Sequence, residues 1–173
     1  ADGKINVGLT QFIKGDEFTV NQTALYDQQQ PSVTSLSNGN FLVSYTTFNH
    51  SSSSNNNSIV LQQITNTGQV IGNETVIGLD NDQYDSEVQA LSGGGFVVIW
   101  KSNQATENGQ GIYMQVFDEN AQSQTDIIKV SYQESHSSES PQMTQLENGN
   151  LAIVWHDYKD GDNRGVGLSI YAL

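Results

Sequence analysis

Leu91-Ser92-Gly93-Gly94-Gly95-Phe96-Val97-Val98-Ile99-Trp100 is a glycine-rich turn feeding a run that is apolar on both alternating faces. The arrangement occurs twice more, as Leu36-Ser37-Asn38-Gly39-Asn40-Phe41-Leu42-Val43-Ser44-Tyr45 and as Leu146-Glu147-Asn148-Gly149-Asn150-Leu151-Ala152-Ile153-Val154-Trp155. Leu36, Leu91 and Leu146 are spaced 55 and 55 residues apart, and Gly39, Gly94 and Gly149 keep the same period. A fixed period of this length marks a repeat architecture, in which each copy is one supersecondary unit.

The repeat extends outward in both directions. Upstream, Pro31-Ser32-Val33 answers Pro141-Gln142-Met143, with Ser86-Glu87-Val88 between them. Downstream, Ile59-Val60-Leu61 corresponds to Ile112-Tyr113-Met114 and to Val166-Gly167-Leu168. Asn-Gly and Gly-Gly take the positive φ of a tight hairpin, so the first two runs of each unit read as paired strands a and b. Strand b, apolar on both faces, is expected to be covered on both sides. Strand c, at Ile112–Phe117, alternates more cleanly and reads as more peripheral. A short strand d follows at Glu74–Ile77 and Ile127–Val130, and Glu17–Val20 fits the same place. No stretch carries a helical period with caps.

The fold expected is therefore all-β, built of tandem four-stranded antiparallel units stacked as propeller-like blades. A β-trefoil or β-prism is the alternative. Residues 1–173 read as a single repeat-built domain: part-unit 1–22, unit 23–78, unit 79–131 and part-unit 132–173. Three units fall short of the roughly four to eight blades that close a propeller, so the partner expected is a second copy, with a dimer favoured, or neighbouring repeats of a longer chain.

The chain carries 19 acidic against 6 basic residues, a net charge of −13. Phosphate polyanions need clustered Lys and Arg, so nucleic acid is not an expected partner. No apolar run is long enough for a membrane span. Cysteine is absent, which excludes disulfides, thiolate metal sites and thiol nucleophiles. No local signature of a nucleophile appears, and the residues point away from an enzyme. A surface dominated by Asn, Gln, Ser and Thr suits a bacterial protein that is secreted or held at the cell surface.

The loops between strands b and c differ most among units, and variable loops on a repeated scaffold are where ligands bind. Phe48, Tyr158 and Asp160 are the candidate ligand-binding residues, with rings to cover a sugar face and oxygens to bond hydroxyls. Carbohydrate, or another cell-surface ligand, is the expected target of a non-catalytic binding or adhesion module; a structural repeat for assembly is the alternative. Asp157, Asp160 and Asp162 place three carboxylates around a glycine turn, a candidate calcium site. No cofactor is required by the pattern. Tyr45, Trp100 and Trp155 occupy one repeat position and read as packing between units.

The motif P-x-V-x-x-L-x-x-G-x-F-V-V-x-W, polar loop, G-I-Y-x-Q-x-F-D, fullest from Ser86 to Asp118, resembles repeats of very large secreted bacterial proteins of the RTX and adhesin type. The resemblance covers nearly the whole chain. It implies propeller-like blades and says nothing of chemistry. Tyr45 replaces the tryptophan in the first unit and Ser86 the proline in the second.

Overall fold

The computed structural model describes residues 15–48, 57–78, 82–103, 110–131, 137–158 and 164–173. They form eleven strands in three antiparallel sheets. The first sheet, blade 1, is β1 (Asp27–Ser35), β2 (Phe41–Phe48), β3 (Ser58–Ile64) and β4 (Val70–Ile77). Blade 2 is β5 (Gln83–Ala90), β6 (Phe96–Ser102), β7 (Gly111–Phe117) and β8 (Ile128–Lys129). Blade 3 has β9 (Ser137–Gln145), β10 (Leu151–Tyr158) and β11 (Arg164–Tyr171). Within each sheet the strands lie in chain order, which is the blade pattern and not that of a trefoil or prism.

Each a–b turn is closed in the same way. Leu36, Leu91 and Leu146 donate their N–H to the carbonyls of Asn40, Gly95 and Asn150, and take bonds from Gly39, Gly94 and Gly149. Those three glycines have φ of +84°, +93° and +87°, a region costly for residues with a Cβ. The identical turn explains why glycine recurs at this period.

Two apolar layers separate the blades. Leu42, Ile59 and Leu61 of blade 1 meet Val88, Phe96, Val98, Trp100 and Tyr113 of blade 2. Val97, Ile99, Ile112 and Met114 of blade 2 meet Met143, Leu151, Ile153 and Trp155 of blade 3. Strand β6 is thus covered on both faces, as its pattern requires. Trp100 is fully buried and donates its indole N–H to Gln83 Oε1 at 2.5 Å. Burial of aromatics of this size is worth several kcal/mol each, on the order of 3–5 kcal/mol by truncation.

Two details depart from the sequence reading. Strand c is as buried as strand b in blades 1 and 2, because both its faces meet apolar layers: Ile59, Val60 and Leu61 are buried, and so are Ile112, Tyr113 and Met114. Glu17–Val20, expected as strand d, forms no strand; Val20 instead packs on the blade 1 face that carries Val43 and Tyr45. The segment is held there by Glu74, whose carboxylate accepts bonds from the Tyr45 hydroxyl at 2.5 Å and the Thr23 hydroxyl at 2.7 Å.

Candidate functional site

The innermost strands of the three blades, β1, β5 and β9, converge and surround an open cavity of about 410 Å³. Its lining is nine residues: Gln30, Pro31 and Ser32 from β1, Asp85, Ser86 and Glu87 from β5, and Ser140, Pro141 and Gln142 from β9. These are the same three repeat positions taken once from each blade. The cavity therefore lies where the pseudo-symmetric units meet, and it is polar although it sits between apolar layers.

Each inner strand reaches the cavity through a bulge. The register between a and b shifts at Gln29/Ser32 in blade 1, at Tyr84/Glu87 in blade 2 and opposite Val154/His156 in blade 3. At the centre of each shift, Gln30, Asp85 and Ser140 hold positive φ of 55°, 50° and 50°. A residue with a side chain pays of order 1–3 kcal/mol for such a backbone, and bulges re-aim side chains beside sites. Across the cavity the Gln30 amide donates to Asp85 Oδ1, while the Asp85 N–H donates to Gln30 Oε1 at 3.2 Å.

One position differs in charge among the three. Ser32 Oγ accepts the N–H of Val88 at 3.2 Å, bridging blade 1 to blade 2. At the equivalent place Glu87 accepts the N–H of Met143, bridging blade 2 to blade 3. A carboxyl group brings a second oxygen that the hydroxyl lacks, and Glu87 Oε2 is buried without a hydrogen-bond partner. Burial pushes the Glu87 carboxyl above its ordinary range, and the Met143 bond only partly opposes this. The cavity so combines amide, hydroxyl and carboxyl groups, donors and acceptors of both kinds.

The loop-borne candidates lie at the same end of the blades, because the start of strand a pairs with the end of strand b: Asp27 faces Phe48 and Ser137 faces Tyr158. Phe48 is half-buried and packs on Tyr84 of blade 2 with ring centres 5.9 Å apart. Tyr158 is half-buried and meets the exposed His156 edge-on at 6.4 Å. A second cavity, about 440 Å³, opens among His156, Asp157, Tyr158, Gly165 and Val166. Of the candidate calcium ligands, Asp157 is half-buried at the end of β10, while Asp160 and Asp162 lie outside the described residues. Among the described residues no three His, Asp or Glu side chains gather closely enough to hold a metal ion.

Sequence reasoning missed the axial set of Gln30, Ser32, Glu87, Ser140 and Gln142. The signal was available in the period itself, since residues 30, 85 and 140 are spaced by 55, but a positive-φ bulge has no sequence mark when glycine does not occupy it.

The sequence matches no protein-family model and no curated protein. Solved structures do resemble the fold. A protein of unknown function from Dyadobacter fermentans superposes with a TM-score of 0.64 at 12% identity, over 87% of this chain and 53% of that one. A xylan β-1,4-xylosidase from Bacillus halodurans does so at 0.58 and 12%, over 87% of this chain and 29% of its own. An α-L-arabinofuranosidase from Lactobacillus brevis gives 0.57 and 13%, over 83% and 49%. The chain thus spans about half, or less, of the structures it resembles. At these identities the likeness establishes the propeller-like fold. It also overturns the exclusion of enzymes drawn from the sequence: the fold is one that glycosidases use, and the lack of a local nucleophile motif is no argument against catalysis on it.

Proposed function

We propose that this chain is part of a carbohydrate-handling β-propeller that holds its sugar at the axial cavity, with the b–c loops as a rim. The observation that carries the reading is the cavity lining: three equivalent positions from three blades, the first of each, Gln30, Asp85 and Ser140, a polar residue at positive φ and the third, Ser32, Glu87 and Gln142, polar as well. Sugar hydroxyls are bound by such mixed donors and acceptors, with aromatic rings covering apolar ring faces. Phe48 and Tyr158 supply the rim. The resemblance to structures named as a xylosidase and an arabinofuranosidase supports pentose-containing glycans as the first ligands to try. A cysteine-free, acidic surface rich in neutral polar residues supports a secreted or cell-surface setting, within a larger bacterial protein of the RTX or adhesin type.

Hydrolysis of the bound glycoside is a second reading, favoured by one observation. Asp85 and Glu87 bring two carboxyl groups to one cavity, and burial biases Glu87 toward its protonated form. An acid and a carboxylate are the pair that glycosidic cleavage uses.

Calorimetric titration with xylo- and arabino-oligosaccharides tests the site. Binding that weakens at least tenfold in Asp85→Ala, with the melting temperature unchanged, is the expected result. A wild-type chain that binds no neutral glycan contradicts the reading and leaves a spacing or assembly repeat. Release of reducing sugar by the wild type but not by Glu87→Gln supports the second reading, and equal release by both contradicts the role of Glu87.

A further inference from the structure

Glu87 belongs to the middle blade, at the joint that β5 and β6 make with β9 of blade 3. Its neighbour Val88 is buried against blade 1, whereas Glu87 turns the other way. Its register partner on β6 is the fully buried Ile99 of the layer between blades 2 and 3, and its carboxyl accepts the Met143 N–H from β9. That bond uses one oxygen. The other, Oε2, is buried with no hydrogen-bond partner. Groups that could serve it are committed elsewhere. The Lys101 ammonium of β6 is held by Glu139 of β9 at 2.7 Å, the Gln142 amide donates to the Pro141 carbonyl, the Gln30 amide to Asp85, and the Ser86 hydroxyl to Ser44. On the blade 1 side, β1 brings Gln30, Pro31 and Ser32 to the cavity, and β2 and β3 carry no charged residue. Asp27 and Tyr84 lie away from the joint, one paired with Phe48 and the other packed on its ring. Asp85, on the same strand as Glu87, adds a carboxyl of like charge.

We propose that sugar binding at the axial cavity is coupled to protonation of Glu87, so that the site holds its ligand most tightly when Glu87 is neutral and releases it as Glu87 ionises. The proposal rests on the axial cavity being the sugar site. Glu87 as a whole is only half-buried and lines the open cavity, so water there helps to solvate its ionised carboxyl. A sugar that fills the cavity displaces this water without reaching Oε2, which lies beneath the surface. The charged form thus loses solvation and gains no donor, whereas the neutral acid loses little. Burial already pushes the Glu87 carboxyl above its ordinary range in the free chain, and the bound sugar pushes it further the same way. Affinity is therefore undiminished below the raised value of the free chain. It falls as pH climbs from there to the still higher value of the complex, because a ligand that favours the protonated form is itself favoured by the proton.

Titration calorimetry of the whole chain with a xylo- or arabino-oligosaccharide, repeated across pH and in buffers of different ionisation enthalpy, tests the proposal. The expected result is an affinity about tenfold weaker at about pH 8 than at about pH 5, with net proton uptake on binding between them. Glu87→Gln keeps an acceptor for the Met143 N–H and places a neutral amide where the acid stood, so its affinity should no longer vary with pH. Binding of equal strength across the range, or proton release on binding, overturns the proposal and leaves the axial site standing. The wild-type slope in Glu87→Gln also overturns it, because the proton would then belong to another group. If Glu87→Gln does not fold, NMR of the Glu87 side-chain carboxyl in the wild type decides: its titration midpoint should rise when sugar is added, and an unmoved or lowered midpoint overturns the proposal. A chain that binds neither oligosaccharide at any pH overturns the axial-site reading and this coupling with it.

Discussion

Leu61, Met114 and Leu168 stand at one place in the repeat, on strand c of blades 1, 2 and 3, yet the first two are buried between blades and the third faces solvent. Leu61 and Met114 each meet the next blade, whereas among the described residues no blade packs on the Leu168 face of blade 3, whose sheet has three strands; burial here belongs to the stack and not to the unit, as expected where each repeat contacts only its neighbours. The same comparison separates the polar positions. Ser32 and Glu87 both cap an N–H of the next inner strand, but only Glu87 does so with an ionisable group at the axial cavity.

Leu61→Ala against Leu168→Ala is the strongest test of that difference. The first is expected to cost about 2–5 kcal/mol by urea unfolding, the second no more than about 0.5 kcal/mol in the monomer. Equal costs would mean that blade 3 is covered within the single chain.

The Ser32 and Glu87 comparison is sharpened by pH. Glu87 has a folded-state pKa raised by burial, so the folded state binds the proton more tightly than the unfolded state does. Its contribution is undiminished below the ordinary Glu value, about 4.3, and stability falls as pH rises from there through the raised value. Glu87→Gln keeps an acceptor for the Met143 N–H and removes that loss. Its melting temperature at pH 7 is expected to be higher by about 2–4 °C for each kcal/mol recovered. Glu74 has the opposite sign: burial pushes its carboxyl up, but bonds from Tyr45, Thr23 and Gln22 outweigh this and hold it low. Its contribution is present above the ordinary Glu value and is lost as pH falls through the lowered one. A Glu87→Gln chain with the wild-type pH profile would contradict the assignment.

Much of this architecture is legible in the sequence because it repeats. The Leu36, Leu91 and Leu146 turns need glycine at one position, and strand b needs apolar residues on both faces, so both leave marks at a period of 55. Strand c does lie farther out than strand b, third in its sheet, but its burial is not legible: Gln62 and Gln115 look like solvent-facing positions, yet Gln62 is buried with its amide bonded to the carbonyls of Gln63 and Ile71. The axial site was less legible. Its carboxyls come from a strand whose partners lie 55 residues away on either side, and Gln30, Asp85 and Ser140 adopt their backbone through tertiary packing without a glycine to announce it.

The smallest expected effect concerns that backbone. Ser140→Gly relieves the left-handed conformation but loses chain entropy, so stability should stay within about 1 kcal/mol of wild type, while Gln30→Gly also removes its bonds to Asp85 and Thr46 and should cost more. Sugar affinity should nevertheless fall in Ser140→Gly. A loss of stability in Ser140→Gly well beyond that in thermal melts would show that its side chain serves packing and not the cavity.

The most direct test of the axial site is a backbone amide NMR titration of the chain with xylo- or arabino-oligosaccharide. The account predicts the largest shifts at Gln30, Asp85, Glu87 and Ser140, with smaller ones at Phe48 and Tyr158. Shifts confined to the outer strands β4 and β8, or no shifts with any neutral oligosaccharide, would contradict it.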